Sequence, residues 1–469
     1  MSYQLRPYQS DLLARVSESW NTGNRRVMLQ LPTGSGKTIC FAHLVQTAIA
    51  NNQTALVLAH REELVKQAVD KITAITGIVP GIIKAGYKPN YDRVIQVASV
   101  QSLARRLNKC LQFDLIVIDE AHHSTADSYR KIFNNFPNSQ VLGVTATPIR
   151  LDGSGFRGLF DELVCGIAVK ELIEIGSLSP FKYFAPAQSM SLAKVRKRGG
   201  DFTQESIEDA NPSESVAADC LKAYRDYLQD KQVVIFAVSV THSKAIAASF
   251  SSLGIPAAHL DGNSDPDTRA QTMTAFRDGS IKVLTNCALF DEGLDILGLD
   301  GVILARPTAS LGRYLQMVGR ALRPSPDKPH ALLIDLARHR ARHGLPDDER
   351  VWTLNGVESV KRGTSKQLQR SSDGQIEEIT IDLTPSEIQL EEVTRPIARD
   401  RSELDEWEDR FKRLVFSQQL NNRKPAWIGF RLAEMNPPLE VWRMAEKHLG
   451  YKRGWARYRW EECQELTHF

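Results

Sequence analysis

The chain lacks the features that mark a secreted, membrane-spanning or metal-stapled protein. Its 469 residues include six cysteines, Cys40, Cys110, Cys165, Cys220, Cys287 and Cys463, and no two of them stand as C-x-x-C. That scatter argues against a zinc module or a disulfide framework and suits a reducing cytoplasm. No apolar run approaches the roughly 20 residues of a membrane helix, so no membrane partner is expected. The opening Met1-Ser2-Tyr3-Gln4-Leu5-Arg6 has no apolar stretch behind a basic one and does not read as a secretion signal. An excess of one charge is missing too. Lys and Arg number 59 against 56 Asp and Glu, a net +3, which neither demands nor excludes nucleic acid, so local patches must decide. What is present is ordinary globular composition, in a chain long enough for about three domains and sizeable cores.

Short runs of Val, Ile and Leu recur, each followed by a longer amphipathic stretch. The first series is Val27–Leu31, Ala55–Ala59, Val94–Ala98, Leu115–Ile118 and Val141–Val144; the second is Val233–Val238, Ala257–Leu260, Ile281–Thr285, Gly301–Ala305 and Ala331–Leu336. Runs of this kind read as strands of parallel sheets buried on both faces, with helices between them. The fold class is α/β: one lobe over residues 1–187, a basic connector over 188–212, a second lobe over 213–342, a partly disordered linker over 343–401 and a mainly helical tail over 402–469. The connector holds Lys194-Val195-Arg196-Lys197-Arg198-Gly199-Gly200, an exposed loop by its composition. Trp407, Trp427, Trp442, Trp455 and Trp460 are candidate packing anchors of the tail.

Strand Val27–Leu31 runs into Pro32-Thr33-Gly34-Ser35-Gly36-Lys37-Thr38 and then a helix. The glycines let backbone N–H groups surround phosphate oxygens, and the helix adds its positive end. Lys37 would neutralise the β and γ phosphates of a nucleotide, and Thr38 would hold Mg²⁺. The strict G-x-x-x-x-G-K-[ST] pattern fails at its first position, Leu31, while the G-x-G-K-T core is intact. A Gly/Ser turn capping a helix is the competing reading. Strand Leu115–Ile118 ends in Asp119-Glu120-Ala121-His122. Asp119 would hold Mg²⁺ and Glu120 would orient or deprotonate the attacking water; two acidic residues capping a helix are the alternative.

These segments resemble the ordered motifs of superfamily 2 helicases of the DEAD/DEAH-box type, over about Leu5–Asp335. Arg6-Pro7-Tyr8-Gln9 resembles the adenine-reading segment, Pro32–Thr38 motif I, Leu58–Leu64 motif Ia, Ala98–Leu103 motif Ib, Asp119–His122 motif II and Thr145-Ala146-Thr147-Pro148 motif III. Val234–Ala237 resembles motif IV, Thr285–Asp295 motif V and Gln316-Met317-Val318-Gly319-Arg320-Ala321-Leu322-Arg323-Pro324 motif VI. TATP and QMVGRALRP look more like the DNA-translocase branch (RadD-like, XPB-like and UvsW-like) than like RNA-unwinding relatives. The cysteine-rich zinc region that RadD-like proteins often carry is missing.

The resemblance implies two tandem RecA-like lobes, ATP and Mg²⁺ as cofactors, and nucleic acid, DNA first, as partner. Gln9 and Arg6 would read the base, and Thr33, Gly34, Ser35, Gly36, Lys37 and Thr38 would cradle phosphate. Gly293 and Asp295 would sit near the ribose; His122, Thr145 and Thr147 would couple ATP state to motion. His123 beside His122 is expected to be incidental. Gln316, Arg320 and Arg323 share one helix face by their i, i+4, i+7 spacing, and the family makes the two arginines fingers for the γ-phosphate. His60, Arg61, Ser99 and Gln101 in the first lobe, and Thr285 and Asn286 in the second, are candidate nucleic-acid contacts. Tyr451–Trp460 alternates basic and aromatic residues, which suits either base stacking with phosphate contacts or a helix packed by its tryptophans. An RNA helicase, a motor subunit of a restriction or defence system, and a scaffold with a weak ATPase are the other readings. The cytoplasm is the expected location, at the nucleoid if the source is bacterial or phage.

Overall fold

The computed structural model describes residues 4–110, 112–123, 126–150, 153–186, 195–287, 298–325, 328–356 and 390–392, and in the tail 407, 411, 415, 428–429, 432, 438–451 and 455–466. The first lobe contributes strands β1 (Arg26–Gln30), β2 (Ala55–Ala59), β3 (Gly81–Ile83), β4 (Ile95–Ser99), β5 (Leu115–Ile118), β6 (Gln140–Thr145) and β7 (Glu162–Cys165). They form one parallel sheet in the order β3-β4-β2-β5-β6-β1-β7. Successive side chains leave a strand on opposite faces, and here both faces are covered. Leu29, Val57, Val97, Val117 and Val144 meet the helices Lys37–Ala50 and Glu62–Thr76. Met28, Leu56, Leu58, Ile116 and Ile118 meet Tyr129, Phe133 and Phe160. That is why these strands read as unbroken apolar runs.

The remaining strands are β8 (Phe181–Pro186), β9 (Lys197–Arg198), β10 (Asp201–Phe202), β11 (Val233–Phe236), β12 (Ala257–Leu260), β13 (Val283–Asn286), β14 (Gly301–Leu304), β15 (Ala331–Asp335) and β16 (Leu390–Glu392). The second sheet runs β12-β13-β11-β14-β15-β8-β16, parallel except for β16, which lies antiparallel on β8. Val234, Phe236, Leu284, Val302 and Leu333 fill one face, and Ile235, Val283, Ile303 and Ile334 fill the other.

The structure departs from the sequence reading at the lobe boundary and in the connector. The first lobe was expected to reach residue 187, yet β8 pairs with β15 from Phe181↔Ala331 to Phe184↔Ile334. Leu172 and Leu178 likewise pack into the second lobe's core. The lobe change therefore falls after β7, because a pairing partner 150 residues away outweighs neighbourhood in sequence. The connector is not simply a loop: β9 and β10 form a hairpin, followed by the helix Gln204–Ala210. Part of the 343–401 linker is ordered. Leu354 accepts backbone N–H bonds from Phe156 and Arg157 of the first lobe at 2.6 and 2.9 Å, so the chain straps back across after finishing the second lobe. Among the described residues, no helix is long and apolar enough to cross a membrane.

A separate compact unit covers Thr394–Phe469. Its core centres on Trp442, fully buried, with Ile428, Leu432, Val441, Ala445 and Ala456 around it and Trp407, Trp455 and Trp460 packed against them. Trp442 and Trp455 meet edge-to-face at 5.8 Å. The tryptophans of the basic-aromatic run are thus packing groups, while Tyr458 is 64% exposed; Lys452, Arg453 and Trp427 lie outside the described residues. Trp442→Ala should destabilise this unit by about 3–5 kcal/mol, read as new protease cleavage confined to residues after 394. An unchanged digestion pattern would contradict that core.

Candidate functional site

In the first sheet β1 and β5 flank β6, so the loops after three neighbouring carboxyl ends converge. After β1 the chain turns through Gly34 and Gly36, both left-handed at φ 88° and 89°, a region costly to any residue with a Cβ. The loop is tied down from within and from the N-terminal helix. The Ser35 hydroxyl donates to the Pro32 carbonyl at 2.6 Å, and the Ser35 carbonyl accepts from the Tyr8 hydroxyl at 2.8 Å and the Gln9 amide at 3.0 Å. Gln9, the expected adenine reader, also braces the cradle: its amide oxygen accepts the Arg6 N–H at 2.9 Å. Arg6 caps that helix start, and its side chain is exposed.

Lys37 opens the next helix with Thr38 beside it, and the Lys37 ammonium lies 3.5 Å from the Leu31 carbonyl. Burial pulls its pKa down, opposed by the charges of Glu120 and Asp119. Burial, then the charge of Glu120, push the Asp119 carboxyl well above the carboxylate range. Asp119 is buried and Glu120 half-buried beside the same lysine, oxygen donors of the kind that Mg²⁺ takes. Glu120 has a left-handed backbone, φ 48°, strain of a kind that clusters at working sites. His122 links three motifs: its Nδ1 lies 2.9 Å from the Thr145 hydroxyl and 3.4 Å from a Glu120 oxygen, and its Nε2 lies 3.0 Å from the Gln316 amide. The Thr145 hydroxyl in turn accepts from the Thr147 N–H at 3.1 Å. The His123 ring packs at a tilt against those of His122 and His60, 4.1 and 4.4 Å between ring centres.

The Gln316 contact crosses between lobes. Its helix, Leu311–Ala321, is capped by the Ser310 hydroxyl on the Arg313 N–H and stands directly over the cradle. A Cβ on Gly319 would sit 2.6 Å from the Thr33 Cβ, and one on Gly34 would sit 3.4 Å from the Arg323 Cγ. Arg320 is buried, and both Arg320 and Arg323 depress the Lys37 pKa by their charge, so three cations face two carboxylates in one cleft. The far end of the helix is held by Lys328, which motif reading missed. Its ammonium donates to the carbonyls of Leu299 and Ala321 at 2.9 and 2.7 Å and also to that of Arg323, with its pKa pushed down to about 8, chiefly by burial. A second bridge between lobes, Arg269 to Glu63 at 2.7 Å, was equally unforeseen.

The expected nucleic-acid contacts fare unevenly. Thr285 and Asn286 are fully buried; the Thr285 hydroxyl donates to the Ser243 carbonyl and the Asn286 amide to the Ile235 carbonyl. Both are spent inside the lobe, since they lie within β13, the second strand from the sheet edge. Ser99 is buried and caps the helix Val100–Ala104, and His60 is engaged by His123. Arg61, at the start of Glu62–Thr76, and the exposed Gln101 keep surface positions. Gly293 and Asp295 lie outside the described residues.

A family model for the Type III restriction enzyme res subunit matches residues 2–150, and one for the helicase conserved C-terminal domain matches residues 217–325. A 51.5 kDa protein of a Lactococcus phage is 32% identical over 325 residues, which cover 69% of this chain and 68% of that protein. The chain belongs to the superfamily 2 helicases. The helicase is also 25% identical to the DNA 3′-5′ translocase XPB2 of Sulfurisphaera tokodaii, over 71% of this chain and 81% of that one. Two fungal relatives are longer, and the helicase spans 51% and 60% of them. The solved DNA-bound Type ISP restriction-modification enzyme LlaBIII shares the fold, with a TM-score of 0.56 at 18% identity, over 71% of this chain and 28% of that one. The helicase thus has the tandem RecA-like lobes expected from its motifs.

Proposed function

We propose that this helicase hydrolyses ATP with Mg²⁺ between its lobes and uses that cycle to translocate on DNA. The observation that carries the reading is the junction just described: Gln316 meets His122 across the cleft while Arg320 and Arg323 bear on Lys37. Neither lobe alone holds a complete set of charges for a triphosphate. The cradle amides and Lys37 bind the phosphates, Arg320 and Arg323 meet charge developing on the γ-phosphate, and Glu120 orients the attacking water. Bound by Thr38, Asp119 and phosphate oxygens, Mg²⁺ would offset the excess negative charge there. Gln316 acts through His122, which relays the state of the cleft to Thr145 and Thr147. Support for DNA over RNA comes from the name of the archaeal relative. A motor subunit of a restriction system is a second reading, favoured by the first family model. A reducing cytoplasm suits the buried thiols Cys40 and Cys220, whose pKa values burial raises.

The test is the ATPase rate without nucleic acid and with single-stranded DNA, duplex DNA, forked DNA and RNA. Stimulation by DNA above RNA supports the proposal, and indifference to all four would end it. Glu120→Gln should keep ATP binding and lower turnover by roughly 10²–10⁴-fold. Full turnover in that variant would place water activation elsewhere.

A further inference from the structure

The hairpin β9–β10 lies outside the ATP cleft, yet its construction exceeds what a connector needs. Its turn is Gly199-Gly200, both left-handed at φ 62° and 88°, so the strands reverse with no side chain at the tip. Around that bare tip Arg196, Lys197 and Arg198 are all exposed. Glu205, also exposed, stands 3.7 Å from Arg196.

A basic loop on its own is usually just solvated. Here the base of the loop is seated. Asp201 is 8% exposed. It accepts the Thr308 hydroxyl at 2.8 Å, the Ala309 N–H at 2.6 Å and a guanidinium N–H of Arg313 at 2.5 Å. Burying a carboxylate is tolerated only with such full pairing. Arg313 lies in the first turn of the Leu311–Ala321 helix, and Thr308 and Ala309 lead directly into it; the other end of that helix carries Arg320. Phe202 adds a second anchor: the Arg342 guanidinium lies 4.7 Å and the Lys197 ammonium 5.2 Å from its ring centre. Arg342 also donates to the Thr308 carbonyl at 3.2 Å. Arg313 is spent in the seat on Asp201, while Arg196, Lys197, Arg198 and Arg342 are exposed around it, with Glu205 as the nearby exposed carboxylate.

We propose that this hairpin is a phosphate grip for nucleic acid, seated on the arginine-bearing helix so that grip and cleft closure move together. The inference rests on the reading of the chain as a nucleic-acid motor. Lysine and arginine beside a glycine tip that carries no side chain suit phosphate oxygens rather than base edges, so the contact is independent of sequence.

The experiment uses the full chain and a fluorescein-labelled single strand of mixed-sequence DNA. Lys197→Ala with Arg198→Ala should lower affinity roughly tenfold at about 0.1 M salt and shrink the slope of log affinity against log salt by about 1.4. Lys197→Arg with Arg198→Lys should restore both, and thermal melts should match in all three proteins. Asp201→Asn keeps the cations but removes charge from the seat, so maximal DNA stimulation of the ATPase should fall several-fold while affinity changes little. Unchanged affinity and slope in the double-alanine variant, with wild type still stimulated by DNA, would overturn the grip alone. Intact stimulation in Asp201→Asn would overturn its coupling to the motor helix. A wild type that no nucleic acid stimulates would instead sink the motor reading beneath it.

Discussion

Lys37→Ala is expected to cut ATP turnover by roughly a thousandfold or more while leaving both lobes folded. The reason is the company that Lys37 keeps. It is buried among Glu120, Asp119, Arg320 and Arg323, and of the three cations it alone comes from the lobe that carries the cradle. Without it the phosphates lose their partner within the first lobe, and only the second lobe can supply positive charge. The fold should survive. The Asp119 carboxyl is already pushed toward its neutral form by burial and by Glu120, so losing the lysine shifts a proton rather than stranding two bare charges. Phosphate release with and without DNA measures the first half of this expectation, and a thermal melt measures the second. Unlike Glu120→Gln, Lys37→Ala should also weaken nucleotide binding, which separates cradle from water activation. Near-normal turnover with an intact melt would refute the cradle assignment.

Strands β2 and β5 were legible residue for residue, because a strand buried on both faces leaves an unbroken apolar run in the sequence. The two phosphate-side motifs were legible for a related reason: each is a short contiguous stretch at a strand end. What escaped was whatever depends on distant partners. Strand β8 carries a lysine and a proline among its apolar residues, and only Ala331–Ile334, far along the chain, gives it a sheet to join. Thr285 and Asn286 were expected to contact nucleic acid only through the family resemblance, yet β11 and β12 flank them on either side and take them into the interior. Asp201 looked like one more charge in a connector. Its burial against Thr308 and Arg313 follows from the hairpin folding onto a helix more than a hundred residues away.

Gly319→Val should abolish ATP hydrolysis without touching a charged group. A glycine inside a helix costs about 1 kcal/mol relative to alanine, so Leu311–Ala321 would hold together better without Gly319. Its place is explained by what faces it. A Cβ there would stand 2.6 Å from the Thr33 Cβ and 2.9 Å from the Thr33 Cγ2, and one on Gly312 would stand 2.9 Å from the Thr147 hydroxyl. The two glycines are seven residues apart, two turns along one face, the same face that presents Gln316 and Arg320. That smooth face lets the helix settle onto the first lobe closely enough for the arginines to reach the cleft. Valine at 319 adds three carbons where there is no space for one, so the lobes must stand apart. A displacement of about 1 Å at a reacting centre costs on the order of 10²-fold, and the required shift is larger. Nucleotide binding through the cradle should persist and the melt should not fall, since the substitution favours the helix. Gly319→Ala should show the same defect in milder form, and Thr33→Gly beside it should return part of the activity by removing the atoms in the way. Wild-type turnover in Gly319→Val would mean that the closed arrangement of cradle and arginines is not the one that hydrolyses ATP.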